Sequence, residues 1–77
     1  MTEQEKAVKI IKSYIAICNS WNQDYVESQT VEELKKSAFN NQWWISKKAA
    51  LQACDVAMES HGDLKYWQDV KNAINAF

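Results

Sequence analysis

The residues in this sequence best suited to chemistry are one histidine, His61, and two cysteines, Cys18 and Cys54. A histidine acts as general acid or base, and a cysteine as nucleophile, when the two lie within hydrogen-bond reach. Cys54 and His61 fall on one predicted helix, about two turns or roughly 10 Å apart along its axis. That separation excludes direct contact, so these positions do not form a Cys–His dyad.

A zinc site is the other chemistry that these residues could support, with a carboxylate as the fourth ligand. Zinc sites are recognised by closely spaced ligand pairs such as CxxC or HxxxH, and Cys18, Cys54 and His61 form no such pair. We therefore predict no metal and no cofactor. The cysteines are interpreted as small buried hydrophobes, and His61 as a residue at a helix C-terminus, where partial positive charge is favourable.

The glycine content bears on enzymatic function. A chain with one Gly cannot contain GxGxxG, GxxxxGK or GxSxG, which excludes the common nucleotide-binding and hydrolase motifs. The adjacent Glu32 and Glu33 fall at a predicted helix N-terminus, where acids simply complement the helix dipole. The sequence predicts a protein that is not an enzyme.

One stretch, residues 40–48, carries side-chain types beyond what packing requires. Neighbouring tryptophans on a helix point about 100° apart, so with Trp43 in the core Trp44 lies at the core's edge. The aliphatic stem of Lys47 can lie along this indole while its ammonium reaches water. Indole, amide and ammonium groups together are typical of a binding surface. The predicted partner-binding residues are Trp44, Lys47, Lys48, Asn40 and Asn41.

Charge helps to choose the partner of this surface. The chain has nine basic residues, all of them Lys, and a net charge of −1. Without Arg or a basic field, sequence-specific nucleic-acid recognition is disfavoured. We predict a small regulator, adaptor or inhibitor that binds another, acidic protein, a class frequent among phage and mobile-element proteins by analogy only.

Two alternatives to a protein-binding surface remain open at the sequence level. Trp44, Lys47 and Lys48 could instead bind a nucleotide or single-stranded nucleic acid, which salt dependence would reveal. Alternatively, both tryptophans could close one end of the fold while the lysines keep that end solvated.

The element that must position these residues is a long helix predicted from about Gln42 to His61. Asn40 or Asn41 is expected as its N-cap, and Gly62 marks its end. Its predicted core face consists of Trp43, Ala50, Leu51, Cys54, Ala57, Met58 and His61.

A second, thinner apolar stripe on this helix is formed by Ile45, Ala49 and Val56. A helix that is apolar on two sides needs neighbours on two sides. Either a short helix beginning at Val31 or a second copy of the chain covers the stripe. The short helix has little apolar surface, which favours a homodimer with Ile45, Ala49 and Val56 as its interface.

The remaining elements are also predicted to be helical. Capping boxes at Thr2 and Thr30, and a cap at Asp63, begin three further helices. Short polar residues favour an end of the first helix between Ser20 and Tyr25, but Trp21 and Tyr25 stay on the core side if the helix continues, so the break is placed nearer Glu27. Phe39 is placed as a hydrophobic staple for the long helix. The fold prediction is all-α: residues 1–77 form a single domain, a small three- to four-helix bundle organised around the central helix.

The cellular compartment follows from what the sequence lacks. No run of about 18 apolar residues could span a membrane, and the charged start of the chain does not resemble a signal peptide. We expect a cytoplasmic protein whose cysteines stay reduced.

Overall fold

Residues 2–77 form five helices in the computed structural model, which describes this part of the chain apart from the side chain of His61. In chain order they are α1 (Glu3–Asn19), α2 (Gln23–Glu27), α3 (Val31–Ser37), α4 (Asn40–His61) and α5 (Leu64–Asn75). The prediction of an all-α helical bundle is confirmed. Helices α1, α4 and α5 pack against one another, and α2 and α3 pack on α1.

Both predicted capping boxes are present. The Glu5 amide donates to the Thr2 hydroxyl, and the Thr2 amide donates to the Glu5 carboxylate, each at 3.1 Å. Thr30 and Glu33 repeat this arrangement at the start of α3, at 3.0 and 3.1 Å. Each box satisfies two amides that the first turn of a helix would leave without partners.

The placement of the first helix break near Glu27 is wrong, and the helix ends at the start of the range from Ser20 to Tyr25 that the polar residues indicated. Ser20 adopts a left-handed conformation with φ of 54°, and α1 ends at Asn19. The Trp21 amide then donates back to the Ala16 carbonyl at 3.0 Å. Because this geometry satisfies the last carbonyls of α1, the helix stops without a glycine, and residues 23–27 form the separate helix α2.

The predicted cap of the central helix is also wrong. Asn40 and Asn41 are the first two residues of α4, and Phe39 occupies the cap position without a side-chain hydrogen bond. Only Ala38 and Phe39, both extended, separate α3 from α4. The first hydrogen bond of α4 runs from the Trp43 amide to the Phe39 carbonyl at 2.9 Å. The Phe39 side chain is 80% exposed, so it does not act as a staple.

The turn between α4 and α5 matches the prediction. Gly62 ends α4 with φ of 74°, and the Asp63 carboxylate accepts from the Tyr66 amide at 3.2 Å. A connection of two residues makes the helices antiparallel neighbours. A salt bridge of 2.8 Å between Lys71 of α5 and Asp55 of α4 ties them together.

The core lies between α1, α4 and α5, and α2 and α3 each add side chains to it. Its fully buried large side chains are Ile11, Ile15, Val26, Leu34, Val70 and Ile74. Ser46 of α4 is also fully buried, and its hydroxyl donates to the Gln42 carbonyl at 2.6 Å. The Tyr14 carbonyl of α1 lies 3.5 Å from the same hydroxyl, so this small residue sits where α1 and α4 approach closely.

The predicted core face of α4 is largely buried. Trp43, Ala50, Cys54 and Ala57 are buried, and Leu51 and Met58 are half-buried. The predicted place of His61 on this face lies outside the described side chains. Within the described residues, no helix combines the length and the apolar character needed to cross a bilayer.

Two apolar residues near the end of α1 are accessible, although we predicted Cys18 to be buried. Ile17 is 72% exposed and Cys18 is half-buried. The last turn of α1 is therefore less completely covered than its middle, where Ile11 and Ile15 are fully buried.

Candidate functional site

The predicted binding residue Trp44 lies at an open groove between α4 and the end of α5. The groove has a volume of about 500 Å³ and is lined by Trp44, Ile45, Lys47, Lys48, Leu51 and Asn75. We call it the corner groove. Three of its six lining residues are apolar and two carry positive charge.

The two neighbouring tryptophans have different environments. Trp43 is 4% exposed and belongs to the core, whereas Trp44 is 62% exposed. Helix geometry accounts for the difference, since consecutive side chains point about 100° apart. Burial of Trp43 therefore places Trp44 at the margin of the core.

Lys47 connects the two helices that form the corner groove, because it contacts Trp44 of α4 and Asn75 of α5. Its Nζ lies 5.4 Å from the centroid of the Trp44 ring and donates to the Asn75 carbonyl at 3.0 Å. Asn75 is the last residue of α5, where partial negative charge on free carbonyls attracts a cation. The predicted contact with Trp44 is present, but the ammonium bonds to α5, although we expected it to reach only water.

Lys48 is the free cation of the groove. It is exposed and makes no hydrogen bond or ion pair with any described residue. Among the described residues that line the groove, none is acidic, so the charge of Lys48 is not neutralised there. The corner groove therefore combines apolar walls with positive charge.

Asn40 and Asn41 do not line the corner groove. Both are exposed in the first turn of α4, and Asn40 lies one helical turn before Trp44 on the same side. They extend this side of α4 beyond the groove, and neither of them caps α4.

The second predicted surface, the stripe of Ile45, Ala49 and Val56, is open in the single chain. Ile45 is 56% exposed, Val56 is 60% exposed and Ala49 is half-buried. Helix α3 packs on α1 and leaves Ile45 and Val56 uncovered. The short helix α3 therefore does not cover the stripe, and a second copy of the chain is the alternative that stays a prediction.

The cysteines lie apart from the corner groove. Cys54 is fully buried, and burial, with the nearby Asp55 carboxylate, raises the pKa of its thiol. A thiol in such surroundings stays protonated and unreactive. Among the residues that the structure describes, no group of three or more His, Cys, Asp or Glu is placed to hold a metal ion.

Two features of the surface were not predicted from the sequence. Asn75 reaches the groove from another helix, and nothing in its sequence context signals this. Lys35 resembles Lys47: its ammonium lies 5.3 Å from the Trp43 ring centroid and donates to the Phe77 carbonyl. A lysine eight residues before a tryptophan across a turn has no recognisable spacing.

Comparison with protein-family models, with curated protein sequences and with solved structures finds no match.

Proposed function

We propose that this chain is a non-enzymatic adaptor, inhibitor or regulator that binds a segment of another protein in the corner groove. The observation that carries the proposal is the state of Trp44. Its indole is mostly exposed, yet the Lys47 ammonium above it restrains its position. A large aromatic surface held in place loses little entropy on binding, which is a property of interface anchors.

The lining of the groove supports a partner of defined chemistry. Trp44, Ile45 and Leu51 offer apolar contact, and Lys48, which has no ionic partner among the described residues, lies beside them. A segment with a large apolar side chain next to an acidic residue complements both features. Lys48 would steer such a segment and help to exclude basic ones. The proposal also places the protein in the cytoplasm, where Cys18 and Cys54 remain thiols.

The test is capture of partners by the immobilised full chain from a lysate of its source organism. We expect the double variant Trp44→Ala/Lys48→Glu to lose the captured protein, because it removes the anchor and reverses the free charge. The matched control is Ile17→Ala/Lys36→Glu, which makes the same kinds of change at exposed positions outside the groove. The control should retain the partner.

Circular dichroism and thermal melting of all three proteins complete the experiment. Retention of the same partner by the folded double variant would contradict the proposal. Unfolding of the double variant would also contradict it, because Trp44 would then serve the fold. Capture that disappears steeply with rising salt, with nucleic acid in the eluate, would favour a nucleic-acid binder instead.

A further inference from the structure

The outward face of α4 has the spacing of a coiled-coil seam. Positions 45, 49, 52, 56 and 59 alternate steps of four and three residues, which keeps them on one side of a helix that packs lengthwise on another. They are Ile45, Ala49, Gln52, Val56 and Glu59. Ile45 and Val56 are each more than half exposed, and within the described residues no other helix covers them.

Opposite charges flank this seam on one side. Lys48 and Asp55 lie seven residues apart, so they occupy the same flank one heptad from each other. Lys48 has no ionic partner among the described residues, and Asp55 uses only its Oδ1, bonded to Lys71 at 2.8 Å. The second carboxylate oxygen of Asp55 is available to another cation.

We propose that a second copy of this chain docks on the seam, with the two α4 helices antiparallel about a twofold axis. In that arrangement each flank meets the same flank of the partner, so Lys48 of each copy lies near Asp55 of the other. Ile45 then packs on Val56 of the other copy, and the small Ala49 at the centre allows close approach of the helices. Two ion pairs and two apolar contacts form from one self-complementary surface.

A parallel arrangement does not use these charges. Its twofold axis runs along the helices, so the flank with Lys48 and Asp55 would face the opposite flank, which carries Ala53 and Ser60. The ends of α4 also favour the antiparallel orientation. Phe39 precedes α4 and Leu64 follows it, 80% and 60% exposed, and antiparallel packing brings the Phe39 end of one copy to the Leu64 end of the other.

The dimer surface and the corner groove share Ile45 and Lys48, but Trp44 and Leu51 belong to the groove alone. Trp44 points about 100° away from Ile45 around the helix, so the indole lies at the edge of the seam. The single variant Trp44→Ala should therefore leave the dimer intact. Because Ile45 and Lys48 belong to both surfaces, the oligomeric state of each Lys48 variant is measured without a partner.

Sedimentation of the purified chain from micromolar to millimolar concentration, with charge-reversed variants, tests the proposal. We expect a dimer for the natural chain. Lys48→Asp and Asp55→Lys should each raise the dimer Kd about tenfold or more, because each places like charges together at two symmetric contacts. An equimolar mixture of the two variants should form a heterodimer, since each residue at 48 then meets an opposite charge at 55.

A matched control separates the seam from the salt bridge within the chain. Lys71→Ala removes the intramolecular partner of Asp55 and should leave the dimer Kd unchanged. The proposed orientation would be overturned if the charge-reversed variants dimerised with the same Kd as the natural chain. It would also be overturned if an equimolar mixture of the two variants failed to associate.

The natural chain provides a second test that does not depend on variants. Carbodiimide joins neighbouring ammonium and carboxylate groups, so a mixture of ¹⁴N- and ¹⁵N-labelled chains should give mixed-isotope peptides linking Lys48 to Asp55. A chain that stays monomeric at every concentration, or a dimer without this link, would overturn the proposal.

Discussion

At the scale of single residues, two lysines illustrate how this small protein uses its tryptophans. Lys47 lies over Trp44 and Lys35 lies over Trp43, and each ammonium also donates to a carbonyl at or beyond the end of α5. Each lysine thus covers an aromatic ring and bonds to a carbonyl, and the carbonyl of Asn75 is one of those that the last turn of a helix leaves free.

The role of Lys47 predicts a measurable loss of stability. Lys47→Met keeps the aliphatic stem but removes the ammonium, so the bond to Asn75 and the attraction to the Trp44 ring are both lost. We expect a decrease of about 1 kcal/mol in the free energy of unfolding by urea. Lys36→Met, at an exposed position, is the control and should change stability by less than about 0.5 kcal/mol. Equal effects of the two substitutions would contradict the assigned contacts.

The two cysteines should differ in reactivity. Burial raises the pKa of the Cys54 thiol, so little reactive thiolate forms, and the folded chain blocks access to it. We expect one thiol per chain to react with a disulfide reagent under native conditions and the second to react only in denaturant. Cys18→Ser should abolish the fast reaction. A fast reaction that persists in this variant would show that Cys54 is accessible.

At the scale of helices, the sequence predicted the boundaries that carry a local signal. Thr2 and Thr30 were recognised as caps because a capping box is a local pattern of four residues. The end of α1 at Asn19 was missed because serine only occasionally adopts the left-handed conformation that Ser20 has. Helical spacing placed Trp43 in the core and Trp44 at its edge, but Asn75 reaches the corner groove only through tertiary packing.

The conformation of Ser20 predicts a stabilising substitution. A side chain at φ of 54° is strained, and glycine relieves the strain at some cost in the entropy of the unfolded chain. Ser20→Gly should therefore raise the free energy of unfolding by about 0.5–1 kcal/mol. Ser60→Gly, within α4, should lower it by about 0.5 kcal/mol. Thermal melting of both variants tests this expectation, and destabilisation by Ser20→Gly would refute it.

The capping boxes predict a pH dependence. Hydrogen bonds from Thr2 and Thr30 lower the pKa of Glu5 and Glu33 below the ordinary value of 4.5. A carboxyl with a lowered pKa in the folded state adds stability above its unfolded pKa, and this contribution is lost as pH falls through the folded value. Melting temperature should therefore drop below about pH 4.5, and less so for Glu5→Gln/Glu33→Gln. An equally steep drop in the variant would assign the acid sensitivity to other groups.

At the scale of the whole molecule, α1 and α4 differ in how many helices they contact. Helix α1 contacts every other helix, whereas α4 packs on α1 and α5 and presents its outer half to solvent. Sequence periodicity identified both apolar sides of α4. It did not determine that α3 would pack on α1, because a short helix with few apolar residues has no pattern that selects its neighbour.

Substitution of the two adjacent tryptophans should affect stability to different extents. Trp43→Ala removes a buried ring and should cost about 3–5 kcal/mol, enough to unfold a domain of this size. Trp44→Ala removes a mostly exposed ring and should cost about 1 kcal/mol or less. Urea unfolding at low micromolar concentration compares them directly. Similar losses for both would place Trp44 in the core.

The most direct measurement for the corner groove is the amount of partner protein captured by Trp44→Ala relative to the natural chain. Quantitative mass spectrometry of the captured proteins, with Ile17→Ala as the control, gives this ratio for variants whose circular dichroism is native. If the corner groove is the binding site, a protein that the natural chain and Ile17→Ala both capture should not be captured by Trp44→Ala. Equal capture of that protein by all three chains would contradict it.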